Sequence, residues 1–319
     1  MFQGDIVGDD TKGINYAIRH YMFWGVHLMC IFALFTEVSW VALAVCAFLY
    51  FIRMFAITGG YHRYFSHRTF KTSRWFQFFL GFLGATAGQK GPIWWSSHHR
   101  HHHQHSDQPD DVHSPVVSGI YYAHIGWVLS RQFIHTRHEL VKDLTKFPEL
   151  RLLDAYNWVP PTLLGFFCFY FGVTLNYFFP ELGTSGFQML TWGFFISTVL
   201  LYHGTFCINS FTHLLGSRRF QTTDDSRNNL LLSLITLGEG WHNNHHRYPG
   251  SEKQGFYWWE IDISHYILKA LSWVGIVWDL RVPPQRIYDE AKNTSKEEAK
   301  KVRPVEAKAE VGNETSAAA

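Results

Sequence analysis

The chain has 319 residues and a formal charge of +2, with 47% apolar, 18% aromatic and 17% charged residues. That composition excludes a disordered protein, and 25 glycines with 11 prolines exclude collagen-like and proline-rich chains. The near-neutral balance argues against a nucleic-acid partner, which calls for a basic patch.

The mean hydropathy of −0.10 hides a sharp segregation along the chain. A helix that spans a ~30 Å hydrocarbon core needs about 20 mostly apolar residues. Four stretches qualify, at about 21–35, 38–57, 158–179 and 187–208. Glu37 and Ser39 make the first two a tight hairpin, and Pro180, Gly183 and Gly186 turn the chain between the last two. His27 and His203 fall inside spans and are expected to face the bundle. The first apolar stretch starts too late for a cleaved signal peptide. The four cysteines, Cys30, Cys46, Cys168 and Cys207, sit far apart in apolar runs and read as buried thiols. Four such stretches weigh heavily against a soluble all-α protein.

Between the second and third spans lies a polar segment with one apolar run, Phe76 to Ala87. It is too short to span and fits a membrane-surface helix. Gly60 to Ala155 carries 11 Lys and Arg, and the chain after Phe211 carries 14. The two short turns on the other side carry none. Such a bias marks the cytoplasmic face. An integral, multi-pass membrane protein with both termini and both polar segments in the cytoplasm is therefore expected. Residues 1–288 form the membrane domain. Residues 289–319, rich in Lys, Glu and Ala, read as a disordered cytoplasmic tail.

The 20 histidines are the unusual feature. His62 and His67 follow the second span. Six histidines occupy the eight positions His98 to His105. His242, His245 and His246 follow the fourth span, and Asn209 with His213 closes it. On a helix, residues i, i+3 and i+4 share a face. His99, His102 and His103 have that spacing, as do His242, His245 and His246. His62 and His67, at i and i+5, stand about 140° apart on an ideal helix. They converge only if the helix bends or ends, which Gly59-Gly60 would allow. Imidazole suits iron, zinc, copper and nickel. Eight or nine imidazoles exceed one ion's needs and point to two metals. A single histidine run could be a fortuitous surface tract; three runs beside span ends are harder to dismiss.

These motifs resemble the membrane fatty acid desaturases, most closely the acyl-CoA (stearoyl-CoA) Δ9 desaturases. The resemblance rests on Thr58-Gly-Gly-Tyr-His-Arg-Tyr-Phe-Ser-His-Arg-Thr-Phe, His99-Arg-His-His-His-Gln-His-Ser, His124-Ile-Gly-Trp, Asn209-Ser-Phe-Thr-His and Gly238-Glu-Gly-Trp-His-Asn-Asn-His-His. It covers roughly Met22 to Asp279. It implies an all-α integral membrane fold, in which four transmembrane helices carry a cytoplasmic helical cap with a histidine-rich di-iron site. It also implies two Fe2+ ions held by His62, His67, His99, His102, His103, His213, His242, His245 and His246, with Asn209 acting through water. One iron would draw mainly on His62, His67, His99, His103 and one histidine of the third box; the other on His102, His213 and the rest of that box. No Asp or Glu takes a catalytic role, and carboxylates elsewhere fix imidazole tautomers. The arginine after the first ligand of the second box sets the register on His99, leaving His98, His101 and His105 as neighbours.

The implied reaction is O2-dependent insertion of a cis double bond, at Δ9, into a saturated acyl chain. The aromatics Trp94, Trp95, Trp192, Phe194, Phe195 and Phe206 could line an acyl tunnel. Gln89, Trp95 and Thr205 fall where the family shapes a kinked channel. Lys90 and Arg131 offer cations to a CoA, although Ser97 and His98 replace the family's Arg-Asp pair. Long-chain acyl-CoA is the first expectation for substrate and a membrane lipid the second. Electrons must come from a separate donor, ferredoxin- or cytochrome-type, fed by an NAD(P)H reductase. A related di-iron hydroxylase or monooxygenase shares the histidine logic. A histidine-rich metal transporter is the non-enzyme alternative, although it would want ionisable ligands inside the spans.

Overall fold

A computed structural model describes residues 14–302, with side chains described for residues 17–293. The described chain is mostly helical. A two-stranded antiparallel ribbon pairs Lys71 with Trp278 and Thr72 with Val277. The chain divides into a unit ending at Pro283 and a stretch beginning at Pro284.

Among the described residues, four helices are long and apolar enough to cross a membrane: Ala17–Leu34, Trp40–Ser66, Val159–Phe178 and Gly186–Phe211. Their starts follow local chemistry. The Ser39 hydroxyl accepts from the Ala42 amide at 3.1 Å, capping the second span. Ser185 does the same for Gln188 at the fourth. Such caps satisfy amides that have no partner within the helix. Pro160 and Pro161 lie in the first turn of the third span, where a missing N–H costs nothing. Many apolar side chains on the spans face outward, as lipid-facing helices require.

The second span differs from expectation. It does not stop near Ile57. It continues to Ser66 with the wider π winding over Ala56–Ser66. In that winding each amide bonds the carbonyl five residues back. The His67 amide accordingly donates to the His62 carbonyl at 3.2 Å. The i and i+5 pair thus shares one face, and its ring centroids lie 4.9 Å apart. The helix does not end before the first histidine box.

The run after that box forms the 12-residue helix Arg74–Ala85, capped by Ser73 and exposing Trp75, Phe78 and Phe79. The second box lies on the helix Pro92–His105, and the third on the short helix His242–Arg247. Cys46 and Cys168 are buried, but Cys30 and Cys207 are only half-buried, at positions where their spans meet the outer surface. The expected tail begins within a helix. A helix runs over Gln285–Val302, in keeping with its Ala, Glu, Lys and Arg content. Residues 303–319 of the expected tail lie outside the described residues.

Candidate metal centre

The structure brings the nine histidines together in two groups. His62, His67, His99, His103 and His245 form one; His102, His213, His242 and His246 form the other. Within each group, one ring nitrogen per residue falls inside a set spanning no more than 4.8 Å. In the five-histidine group the Nε2 atoms crowd together. His67 to His99 is 2.8 Å, His103 to His245 is 2.9 Å, and His62 to His245 and His99 to His103 are each 3.0 Å. Nitrogens about 2.1 Å from a shared ion and at right angles stand about 3 Å apart. In the other group, His213 and His242 approach through Nε2 at 3.1 Å. The Nε2 atoms of His102 and His246 are buried with no hydrogen-bond partner. Buried polar atoms are normally satisfied, so these two ask for a partner. An all-imidazole donor set with orphaned nitrogens fits two transition-metal ions.

Charge supports the same reading. Burial, followed by repulsion among neighbouring imidazoles, holds His67, His99, His103, His242 and His245 well below the usual histidine pKa. Burial lowers His246 to about 4 against the pull of Asp224. These rings are neutral at pH 7, which is the ligating form. His102 is the exception: burial works against its charge, but Asp111 outweighs burial and raises it.

Four carboxylates stand behind the rings. Asp111 accepts from His102 Nδ1 at 2.7 Å and Asp107 from His213 Nδ1 at 2.8 Å. Asp224 accepts from His246 Nδ1, and Glu239 pairs with His62 Nδ1. A carboxylate on one ring nitrogen fixes the tautomer and turns the other nitrogen inward. The three aspartates stay below the usual carboxylate range despite burial because each faces its histidine. Sequence reasoning expected such carboxylates without naming them. Asp107 and Asp111 were findable, since both follow the second box within six residues.

Two arginines tie the boxes together. Arg63 is fully buried and bonds Glu239 at 3.0 Å and Asp262 at 3.1 Å. Arg100 donates to the carbonyls of Phe65 and Ser66, at 2.7 and 2.9 Å, and grips Asp143 with two nitrogens. It therefore satisfies carbonyls left open where the π winding ends. In the third box, Asn243 receives the amides of Arg219 and Phe220, and Asn244 bonds Glu260.

Two cavities meet beside the histidines. An inner one of about 70 Å³ is lined by His62, His99, His102, His242, Asn209 and Thr205, among others. An outer one of about 780 Å³ runs between the spans, in the usual ~300–1,000 Å³ range of ligand sites. Gln89, Trp95 and Phe206 line both. Gln89 donates to Thr205 at 2.8 Å and accepts from the Trp95 indole at 3.4 Å. Lys90 lines the outer cavity, its ammonium 4.5 Å from the Trp94 ring centre. Arg131 is exposed and lines neither cavity. Trp192 lines neither, whereas Trp94 lines both and Phe194 and Phe195 line the outer one.

Asn209 lines the inner cavity together with His102 and His242. His98 is buried against Trp94 and lines the inner cavity, and burial lowers it to about 3. His113 went unnoticed in the sequence. Its ring lies tilted against His102, centroids 4.3 Å apart, and with Asp111 it makes a further potential ligand set around that ring. His27 and His203 pair at 3.3 Å, and His203 meets His124 at 3.0 Å.

Residues 38–274 match the sequence profile of the fatty acid desaturase family. The chain is 36% identical to an acyl-CoA C20 Δ5-desaturase of Anemone leveillei over 291 residues, 88% of each chain. It is 37% identical to Δ9 acyl-lipid desaturase 1 of Arabidopsis thaliana over 260 residues, 82% of this chain and 81% of that one. The sn-1 stearoyl-lipid 9-desaturase of Anabaena variabilis is 33% identical over 283 residues, 88% of this chain and 99% of its own. With the profile covering most of its length and such relatives matching nearly end to end, the chain belongs to the fatty acid desaturase family.

Proposed function

We propose that the chain is an O2-dependent fatty acyl desaturase that places a cis double bond at Δ9 of a saturated, long-chain acyl group, CoA- or lipid-linked. The observation that carries this reading is the inner cavity, which histidines of both groups line together with Gln89, Trp95, Thr205 and Phe206.

In this reading His62, His67, His99, His103 and His245 hold one iron, and His102, His213, His242 and His246 the other, with Asn209 nearby. The irons supply the O2-activating chemistry that no side chain possesses. The chain's own residues do the rest. Glu239, Asp107, Asp111 and Asp224 hold the ring tautomers. The Gln89–Thr205 hydrogen bond and the Trp95 indole hold the cavity wall against which one pair of methylenes would be presented. Burial keeps water from the reacting carbons. The reaction balances as –CH2–CH2– plus O2, two electrons and two protons giving –CH=CH– and two waters. The electrons come from a separate ferredoxin- or cytochrome-type donor with its NAD(P)H reductase. The active site and both termini face the cytoplasm, where the Lys and Arg residues gather.

Expression in a host without its own desaturase tests the proposal. Gas chromatography–mass spectrometry of total fatty acids, derivatised to locate double bonds, should show a new Δ9 monoene that the His102→Ala variant does not make. A double bond elsewhere would correct the regiochemistry. Hydroxylated chains would move the protein to the hydroxylase reading.

A further inference from the structure

The outer cavity has a direction. One wall is a single face of the first span: Arg19, Met22, Phe23, Val26 and Met29. The opposite wall is a single face of the third span, from Trp158 through Pro161, Gly165 and Phe169. Both spans pack on the fourth, which forms the floor from Leu190 to Phe206. The space between the walls is a groove along the membrane-spanning part of the molecule. From Arg19 to Met29 it follows ten helical residues, about 15 Å.

The groove is open at its side. Met22, Phe166 and Tyr170 line it and are 54%, 59% and 62% exposed. Gly25 lines it as well, and a Cβ there would meet nothing within 4 Å. At its cap end the groove joins the inner cavity through Gln89, Trp95 and Phe206.

We infer that this groove is a lateral portal through which the acyl chain of a membrane glycerolipid slides from the bilayer into the metal centre. The substrate is then lipid-linked and not acyl-CoA. This inference rests on the desaturase reading and names its substrate class. A CoA ester carries several phosphates through water and calls for a cationic approach. The groove instead presents apolar and aromatic residues at hydrocarbon depth. The charged residues lining it are Arg19 and Lys90, both at the cap end. A glycerolipid fits that division: its headgroup stays at the interface, level with Arg19 and Lys90, while one acyl chain lies between the spans. No water-crossing step is needed, because the chain moves from one apolar medium to another.

The full-length, iron-loaded protein in proteoliposomes tests this. Two substrates would be compared: phosphatidylcholine carrying a 13C-stearoyl chain, and 13C-stearoyl-CoA. Reduced ferredoxin and reduced cytochrome b5 would each be supplied with O2. No acyltransferase is present, so the label stays where it starts. The double bond is expected in the phosphatidylcholine-linked chain at ten or more times the rate seen with stearoyl-CoA. Gly25→Trp fills the groove and should lower the lipid-linked rate at least tenfold. Leu28→Trp, at a 63% exposed position outside the lining, should leave it unchanged. Faster turnover of stearoyl-CoA, or an undiminished lipid rate in Gly25→Trp, would overturn the portal while leaving the desaturase intact. No double bond in either substrate would overturn both. Should Gly25→Trp fold poorly, Gly25→Leu and the wild-type substrate comparison still decide.

Discussion

The two histidine groups are built on different principles. The five-histidine group gathers many rings, and of these only His62 has a carboxylate behind it, Glu239, which is shared with Arg63. The four-histidine group has fewer rings, but three of them lean on aspartates: His102 on Asp111, His213 on Asp107 and His246 on Asp224. A carboxylate behind an imidazole raises its basicity as a ligand. One group thus offers ligand number and the other ligand strength. Two neighbouring cations can be held unequally even though every ligand is the same residue type.

Removing a ring should give the largest effect. His245→Ala and His102→Ala should each lower desaturation more than about 100-fold, beyond the 10–100-fold typical of losing an outer partner. Each should also remove iron from its own group first, as read by Mössbauer spectroscopy of 57Fe-loaded protein. Next comes Arg63→Ala, which leaves Glu239 and Asp262 buried without their cation. Breaking such a network costs about 3–5 kcal/mol, to be read as a lowered thermal midpoint of the apoprotein.

Asp111→Asn and Asp224→Asn sharpen the comparison. Each should weaken iron binding in the four-histidine group about 10–100-fold. Glu239→Gln should weaken the five-histidine group less, because four other rings remain there. Equal losses in a chelator competition would break the comparison.

A further effect is on pH. His246 is lowered to about 4 in the folded chain and titrates near 6.5 when unfolded. Between those values the unfolded state binds more protons. Apoprotein stability should therefore fall as pH drops below about 6.5, and the five other rings held well below the usual value deepen that fall and carry it past pH 4. A midpoint that rises on acidification would contradict it.

How much of this was legible in the sequence varies with range. The HxxHH spacings report a helical face directly, so His99, His102 and His103, and likewise His242, His245 and His246, could be grouped on sight. His62 and His67 could be grouped only by resemblance, because a π winding leaves no spacing rule that an α-helical template detects. Asp224 and Glu239 reach their rings through long-range folding, which periodicity does not encode. The groove between the first and third spans was invisible, since it depends on which helix faces are not in contact. The helix over Gln285–Val302 was missed because a composition rich in Lys and Glu suits a solvated helix as well as a coil.

Iron counting tests the two-group centre most directly. The full-length protein would be expressed in iron-replete cells, purified without chelators and measured by inductively coupled plasma mass spectrometry. Two irons per chain are expected, falling towards one in the Asp107→Asn, Asp111→Asn, Asp224→Asn triple variant. One metal or none in the wild type, or zinc filling the site despite excess iron, would contradict a di-iron centre divided between these two groups.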